Sequence, residues 1–435
     1  MGQISDLPAC ADSGRSEICP TGRRGTRYDS RVSTPLPRLR GDLDFMPSPV
    51  EDRPGLLIRD SFKYSDAVLI IPPPLVECLR CFDGSQTPLD LRQTLVRITG
   101  DLQVGEIENQ LIDVLSRSGF LEDETFARMK AESHRAFAES AVREPAHAGS
   151  GYPDDPEALR GTMKEWMGEG PFAPAGNLIG IAAPHVSPVG GYESYRAAYR
   201  LMGAPYQDRT FVILGTSHYG AADKFGLTRK AYRTPFGVTQ TDVSLVDELT
   251  QKAGNAVATE DYCHAVEHSI EFQVVFLQSI FGADVKVLPI LCGSYAHSIY
   301  RGGKPEANED VNRFLGVLGE IAAREENRLL WVLGIDMAHM GRRYGDQLIA
   351  HADEGEMAAV AERDKRRIER LTASDPQGFW ELVQENKDDL KWCGSAPMYT
   401  FLKVVPQARG TLRRYQQWNI DEQSVVSFAA IGFRG

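Results

Sequence analysis

"NLIGIAAPHVSPVGGYESY", Asn177 to Tyr195, decides the fold class. The run from Leu178 to Ala183 carries no charge and stops at Pro184, as a short strand buried on both faces does. His185 follows at once, then turn-forming residues and a Tyr-rich helical segment. Four further stretches share the apolar run: "RTFVILGTS" (Arg209–Ser217), "DVKVLPILCG" (Asp284–Gly293), "RLLWVLGIDMAH" (Arg328–His339) and "SVVSFAAIGF" (Ser424–Phe433). Near-continuous apolar strands alternating with helices predict an α/β fold whose sheet is covered on both faces.

In such sheets ligands bind in the crevice at the C-terminal ends of the strands. His185 follows the first strand, His218 follows the second in "VILGTSH", and Asp336 and His339 end another in "VLGIDMAH". A lone histidine at a strand end is ordinarily a hydrogen-bonding core or surface residue, but several at equivalent ends point to a site. Neutral imidazole binds Fe(II), copper and zinc, and two such ligands with one anionic ligand leave positions open for a substrate. Cys393, in the Gly- and Pro-containing "KWCGSAPMY", offers a third ligand as a thiolate, or a nucleophile with His339 as its base, or a structural thiol. "DYCHAVEHSIEFQVVFLQSIF" (Asp261–Phe281) spells HxxEH with His264, Glu267 and His268. The helical face set by Ile270, Val274, Leu277 and Phe281 leaves His264 in the entry loop, which disfavours the zinc-peptidase reading. Glu267 and Glu271 stand one turn apart near that helix N-terminus, where they cap the helix or orient a ligand histidine.

The chain has 435 residues, enough for about two or three domains. Its 60 acidic against 48 basic residues disfavour a nonspecific grip on nucleic acid or an anionic membrane. No apolar run reaches the roughly 18 to 20 residues of a membrane span, and the N-terminus lacks an apolar signal core, so a cytoplasmic protein is expected. Seven scattered cysteines do not make a disulfide framework, and Cys78 with Cys81 reads as two packed thiols of a short helix. Residues 1–50 have the composition of a disordered tail, with Met46 as an alternative start. Residues 51–122 read as a winged-helix-like module, with Thr87, Pro88 and Asp90 opening one helix and Gly100 closing it. Residues 123–145 form a connecting helix, and 146–435 the α/β domain. The module is not basic, so of three readings, peptide binding, DNA binding and a packing accessory to the larger domain, DNA is the weakest and a packing or protein-contact role is expected.

The motifs "AHAGSGYP" (Ala146–Pro153), "APHVSPVGGYESYRAAY", "FVILGTSHYG", "YRTPFG", "EHSIEFQ", "VLPILCG", "GIDMAHMGRRYG" and "CGSAPM" together resemble, in order and spacing, the Memo-like family. Its bacterial and archaeal members are called AmmeMemoRadiSam system protein B. The resemblance implies a fold similar to class III extradiol dioxygenases, which hold non-haem Fe(II) on two histidines and a carboxylate. It implies a pocket of His185, His218 and Cys393 as metal ligands, with Fe(II) first and copper or zinc as alternatives. Asp336 and His339 match the family's aspartate and histidine, His339 as the acid/base, while His268 and Glu271 line the cofactor pocket. Residues 51–122 resemble PqqD-like winged-helix domains. The expected function is a metal-dependent redox enzyme of unnamed substrate. The alternatives are a metal- or peptide-binding scaffold working with an AMMECR1-like protein and a radical SAM enzyme, and a metal-free thiol enzyme. Two departures stand out: an insertion after His185, and Gly151 where the family has tryptophan, which is expected to widen the pocket entrance.

Overall fold

The computed structural model describes residues 34–50, 52–170, 172 and 174–435, and the chain divides into two units, Met1–Ala136 and Phe137–Gly435. The smaller unit has an antiparallel sheet in the order β1 (Leu43–Pro47), β2 (Leu56–Asp60), β3 (Val68–Ile71). A 3-10 turn at Pro73–Cys81 and helices α1 (Pro88–Thr99) and α2 (Gly105–Arg117) pack on it. Helix α3 (Glu124–Glu139) contains the boundary between the units. At the start of α1 the Asp90 carboxylate accepts from both the backbone N–H and the hydroxyl of Thr87, each at 2.7 Å. Gly100 ends the helix in the left-handed region at φ 73°. Cys78 and Cys81 are buried free thiols, and burial pushes Cys78 up to about 11.

The expected disordered tail needs correction over its described part. Leu36 and Leu43 are buried, β1 pairs with β2, and the guanidinium of Arg40 binds the carboxylates of Asp42 and Asp60 and the carbonyl of Gly119. An added edge strand and a buried ion pair order a polar, Pro-rich segment without leaving an apolar period to read. Met46 lies inside β1, opposite Leu57. Residues 1–33 of the expected tail lie outside the described residues.

The larger unit carries a ten-stranded mixed sheet. A small sheet of β4 (Val142–Arg143), β8 (Ala231–Thr234) and β9 (Gly237–Val238) stands apart from it. At the centre run β5 (Leu178–Ala183), β6 (Thr210–Thr216), β12 (Lys286–Cys292) and β13 (Leu329–Gly334), mutually parallel in the order β12-β6-β13-β5. β7 (Phe225–Leu227), β10 (Gln240–Thr241) and β11 (Val257–Thr259) extend the β12 side. On the other side β16 (Ser424–Arg434) runs antiparallel to β5 and pairs with β14 (His339–Gly341) and β15 (Arg409–Asp421).

Successive side chains of a strand point to opposite faces, and the two faces here meet separate cores. Phe211, Ile213, Leu330 and Val332 join α4 (Pro156–Met167), α5 (Pro188–Tyr199) and α8 (Glu271–Phe281), with the short α7 (Cys263–Val266) leading into α8. Val212, Leu214, Trp331 and Leu333 join α6 (Val243–Ala253), α10 (Glu309–Arg324), α11 (Glu356–Thr372), α12 (Pro376–Gln384) and α13 (Ser395–Val404), with α9 (Ala296–Arg301) beside α12. This three-layer α/β/α arrangement is why the central strands read as unbroken apolar runs. Among the described residues no helix is long and apolar enough to cross a membrane.

Candidate metal site

His185 sits two residues past the end of β5 and is 1% exposed. Its backbone N–H donates to Asp336 Oδ1 at 3.0 Å, and its ring Nδ1 donates to the carbonyl of Gly334, the last residue of β13, at 2.9 Å. A carbonyl only accepts, so Nδ1 holds the proton and Nε2 presents a lone pair. His218 stands just past the end of β6, where its backbone N–H and its Nδ1 both engage the Glu267 carboxylate at 2.9 Å. His268 arrives on the turn between α7 and α8; its backbone N–H donates to Glu267 Oε1 at 2.9 Å, and its Nδ1 lies 3.1 Å from the same oxygen.

The three imidazoles converge so that one ligand atom from each lies within 4.8 Å of the others. The rings of His218 and His268 stack at 4.9 Å, and His185 stands edge-on to them at 5.0 and 5.1 Å. Cys393 Sγ approaches His185 Nε2 to 3.1 Å. Burial pushes His185 well below its ordinary value, reinforced by His218 and His268, so it is neutral at pH 7. Burial opposes the charge on His218, yet Glu267 and Cys393 hold it well above its ordinary value. Burial likewise works against the charge of Glu267, and His218 overcomes it. His218, which reaches solvent, thus pairs with the buried Glu267 carboxylate, and an ion taken up by His218 must displace a proton. Burial raises the Cys393 thiol, which fits an S–H donating to His185 Nε2.

Asp336 and His339 adjoin this cluster. Burial pushes the Asp336 carboxyl up to about 7 against the N–H groups of His185 and Val186, and its Oδ2 lies 3.6 Å from His185 Nε2. His339 opens β14; its Nδ1 donates to the carbonyls of Met337 at 2.9 Å and Lys391 at 3.1 Å, leaving Nε2 as the acceptor. Burial pushes it down to about 4, and its ring packs edge-on against Tyr344 at 4.9 Å.

The family model for Memo-like proteins matches residues 143–432. This chain belongs to the Memo-like family. A MEMO1 family protein of Aquifex aeolicus is 27% identical over 381 residues, covering 87% of this chain and 95% of its own. One from Methanopyrus kandleri is 29% identical over 314 residues, covering 67% of this chain and 99% of its own. One from Methanococcoides burtonii is 30% identical over 235 residues, covering 50% and 86%. The Aquifex match takes in more of this chain than the Memo-like region and so reaches into the smaller unit.

Two expected features of the Memo-like pocket fall elsewhere. Glu271 does not face the histidines: its carboxylate accepts from Arg143, from Tyr152 Oη at 2.5 Å, and from the backbone N–H groups of Ala146 and His147 at 3.0 and 2.9 Å. Arg143 lies in the segment expected to be a connecting helix, yet it is fully buried and also donates to the carbonyls of His264 and Glu267. It therefore turns Glu271 away from the cluster and leaves Glu267, four residues earlier in the extended link between α7 and α8, as the carboxylate on the histidines. His264 is buried against Tyr232 Oη and the carbonyl of Gly226, so HxxEH does not act as a two-histidine helical motif. Gly151 does not widen the entrance, because Phe272 fills the space beside it: a Cβ there would lie 2.7 and 2.8 Å from two carbons of that ring. Glu267 was within reach of the sequence through its place beside His268, whereas Phe272 and Arg143 gave no local signal.

Proposed function

We propose that the larger unit of this Memo-like protein is a metal-dependent redox enzyme with a fold and site of the class III extradiol dioxygenase kind. His185, His218 and His268 would hold the ion, with Cys393 at its edge. The observation that carries the reading is the convergence of three imidazole ligand atoms within 4.8 Å. Two of these rings have their Nδ1 tied back, to Gly334 and to Glu267, which is how ligand histidines are oriented. Nitrogen donors beside a thiol suit Fe(II), copper or zinc, and three protein ligands leave coordination positions open. A bound Fe(II) would supply Lewis acidity and a one-electron couple there.

The chain's own groups supply the proton chemistry. His339 is neutral near pH 7 and offers Nε2 to accept a proton from a substrate hydroxyl, with Nδ1 fixed by two carbonyls. Asp336, raised to about 7, can hold or release a proton beside His185 while its other oxygen keeps the His185 backbone in place. Glu271 takes no part in this scheme. The smaller unit we read as a PqqD-like winged-helix module for protein or peptide contact, its sheet ending in the edge strands β1 and β3. An AMMECR1-like protein and a radical SAM enzyme would be its partners in the cytoplasm, on family resemblance.

The test is metal content by mass spectrometry on protein purified anaerobically, wild type beside a His185→Ala, His218→Ala double variant. Near-stoichiometric iron or copper, lost in the variant, is expected. No metal in either protein, even after reconstitution, would sink the metalloenzyme reading.

A further inference from the structure

Gly151 and Phe272 are far apart in sequence but share one volume. Gly151 is outside the left-handed region, so its lack of a side chain answers to space rather than to backbone conformation. The loop that carries it cannot easily retreat: Gly151 N–H donates to His147 O at 2.8 Å, Gly149 N–H to Tyr152 O at 2.7 Å, and Glu271 holds Ala146, His147 and Tyr152. A Cβ at Gly151 would therefore press on the Phe272 ring, which is 4% exposed. That ring lies 5.6 Å from the rings of both His268 and His147, and Phe272 N–H donates to the carbonyl of His268 at 3.1 Å, one helical turn back.

We infer that Phe272 is a positioning residue that, beside Glu267 and His147, sets the ring of His268 in the histidine cluster, and that Gly151 is its steric counterpart. The inference deepens the proposed metal site and rests on it for its consequence in ion binding. Filling Gly151 overpacks the ring, and shortening Phe272 leaves a gap, so each change alone displaces His268. Made together, the added methyl takes up part of the vacated volume.

The full chain is compared as wild type, Gly151→Ala, Phe272→Leu and the double variant, each checked for folding by its thermal melt. Nitrogen-15 labelled histidine spectra of the metal-free proteins report the His268 ring, and Co(II) titration reports affinity. Both single variants should shift the His268 signals and weaken Co(II) binding by about tenfold, the lower end for groups that orient a metal ligand. The double variant should move back toward wild type in both readouts, a non-additive cycle. Unchanged His268 signals in the single variants, or purely additive effects in the double, would overturn the inference. If Gly151→Ala alone does not fold, the double variant against Phe272→Leu still decides, since an improvement on adding Gly151→Ala is required. Wild type that takes up no Co(II) defeats the metal-site reading alone, while the histidine spectra continue to test Phe272.

Discussion

Asp336 has a carboxyl whose ordinary value of 3.8 is pushed up to about 7 by burial. Between those values the native protein keeps a proton that the unfolded chain has lost, so this group makes stability fall as pH rises from about 4 to about 7. His147 and His339, pushed down to about 4 by burial, act in the opposite sense: the unfolded chain binds the extra protons, and stability rises with pH up to their ordinary 6.5. The contribution of Asp336 is therefore read as a difference, from urea unfolding of metal-free wild type and Asp336→Asn at a series of pH values. Asparagine keeps an acceptor for the His185 N–H and removes the titration. The variant should gain on wild type by roughly 4 kcal/mol across that window, because each tenfold difference in proton affinity between the native and unfolded chains is worth about 1.4 kcal/mol. A difference that stays flat would mean that Asp336 is already ionised in the native protein.

Gly334, which closes β13, shows how one element seats another. A Cβ there would collide with the carbonyl oxygen of Ser269 and lie 3.0 Å from the Gln273 side chain, so the entry to α8 rests directly on the strand end. Gly334→Ala should cost about 1–3 kcal/mol by overpacking and loosen His268, the residue before Ser269. Gly316, in α10, has nothing within 4 Å of its would-be Cβ, and Gly316→Ala should instead gain up to about 1 kcal/mol of helix propensity. Chemical denaturation midpoints and metal content of the two variants check the contrast; equal effects would remove the seating role. The same dependence explains what the sequence could reveal. The five long apolar strands were legible because burial on both faces leaves unbroken runs, and His185, His218 and Asp336 were legible because they end such strands. β15 was not: it pairs with β16 through a largely exposed, polar sequence, so no apolar run marks it. Nor could spacing choose between Glu267 and Glu271, since the choice is made by Arg143, 128 residues before Glu271 in the chain. The expectation about Gly151 failed likewise, because the ring that fills its space belongs to α8.

Across the whole molecule the apolar clusters respect the division into two units. The cluster of the smaller unit draws on residues between Leu36 and Leu121, and the two sheet-face clusters draw on residues from Tyr152 onward. The histidine cluster, Glu267, Asp336, His339, Cys393, Arg143 and Phe272 all belong to Phe137–Gly435, and the Memo-like match begins at residue 143. A chain of about 300 residues buries enough surface to fold by itself. A fragment starting at Asp123, which keeps α3 whole, should therefore fold with a cooperative melt and retain the metal content of the full chain within about twofold, since each core is complete within its unit. Circular dichroism and mass spectrometry of the fragment beside the full chain measure both. A fragment that folds but loses the metal would show that the smaller unit shapes the site itself, and one that fails to fold would show that it completes the core; either outcome would give the N-terminal unit a structural task in place of the contact role proposed for it.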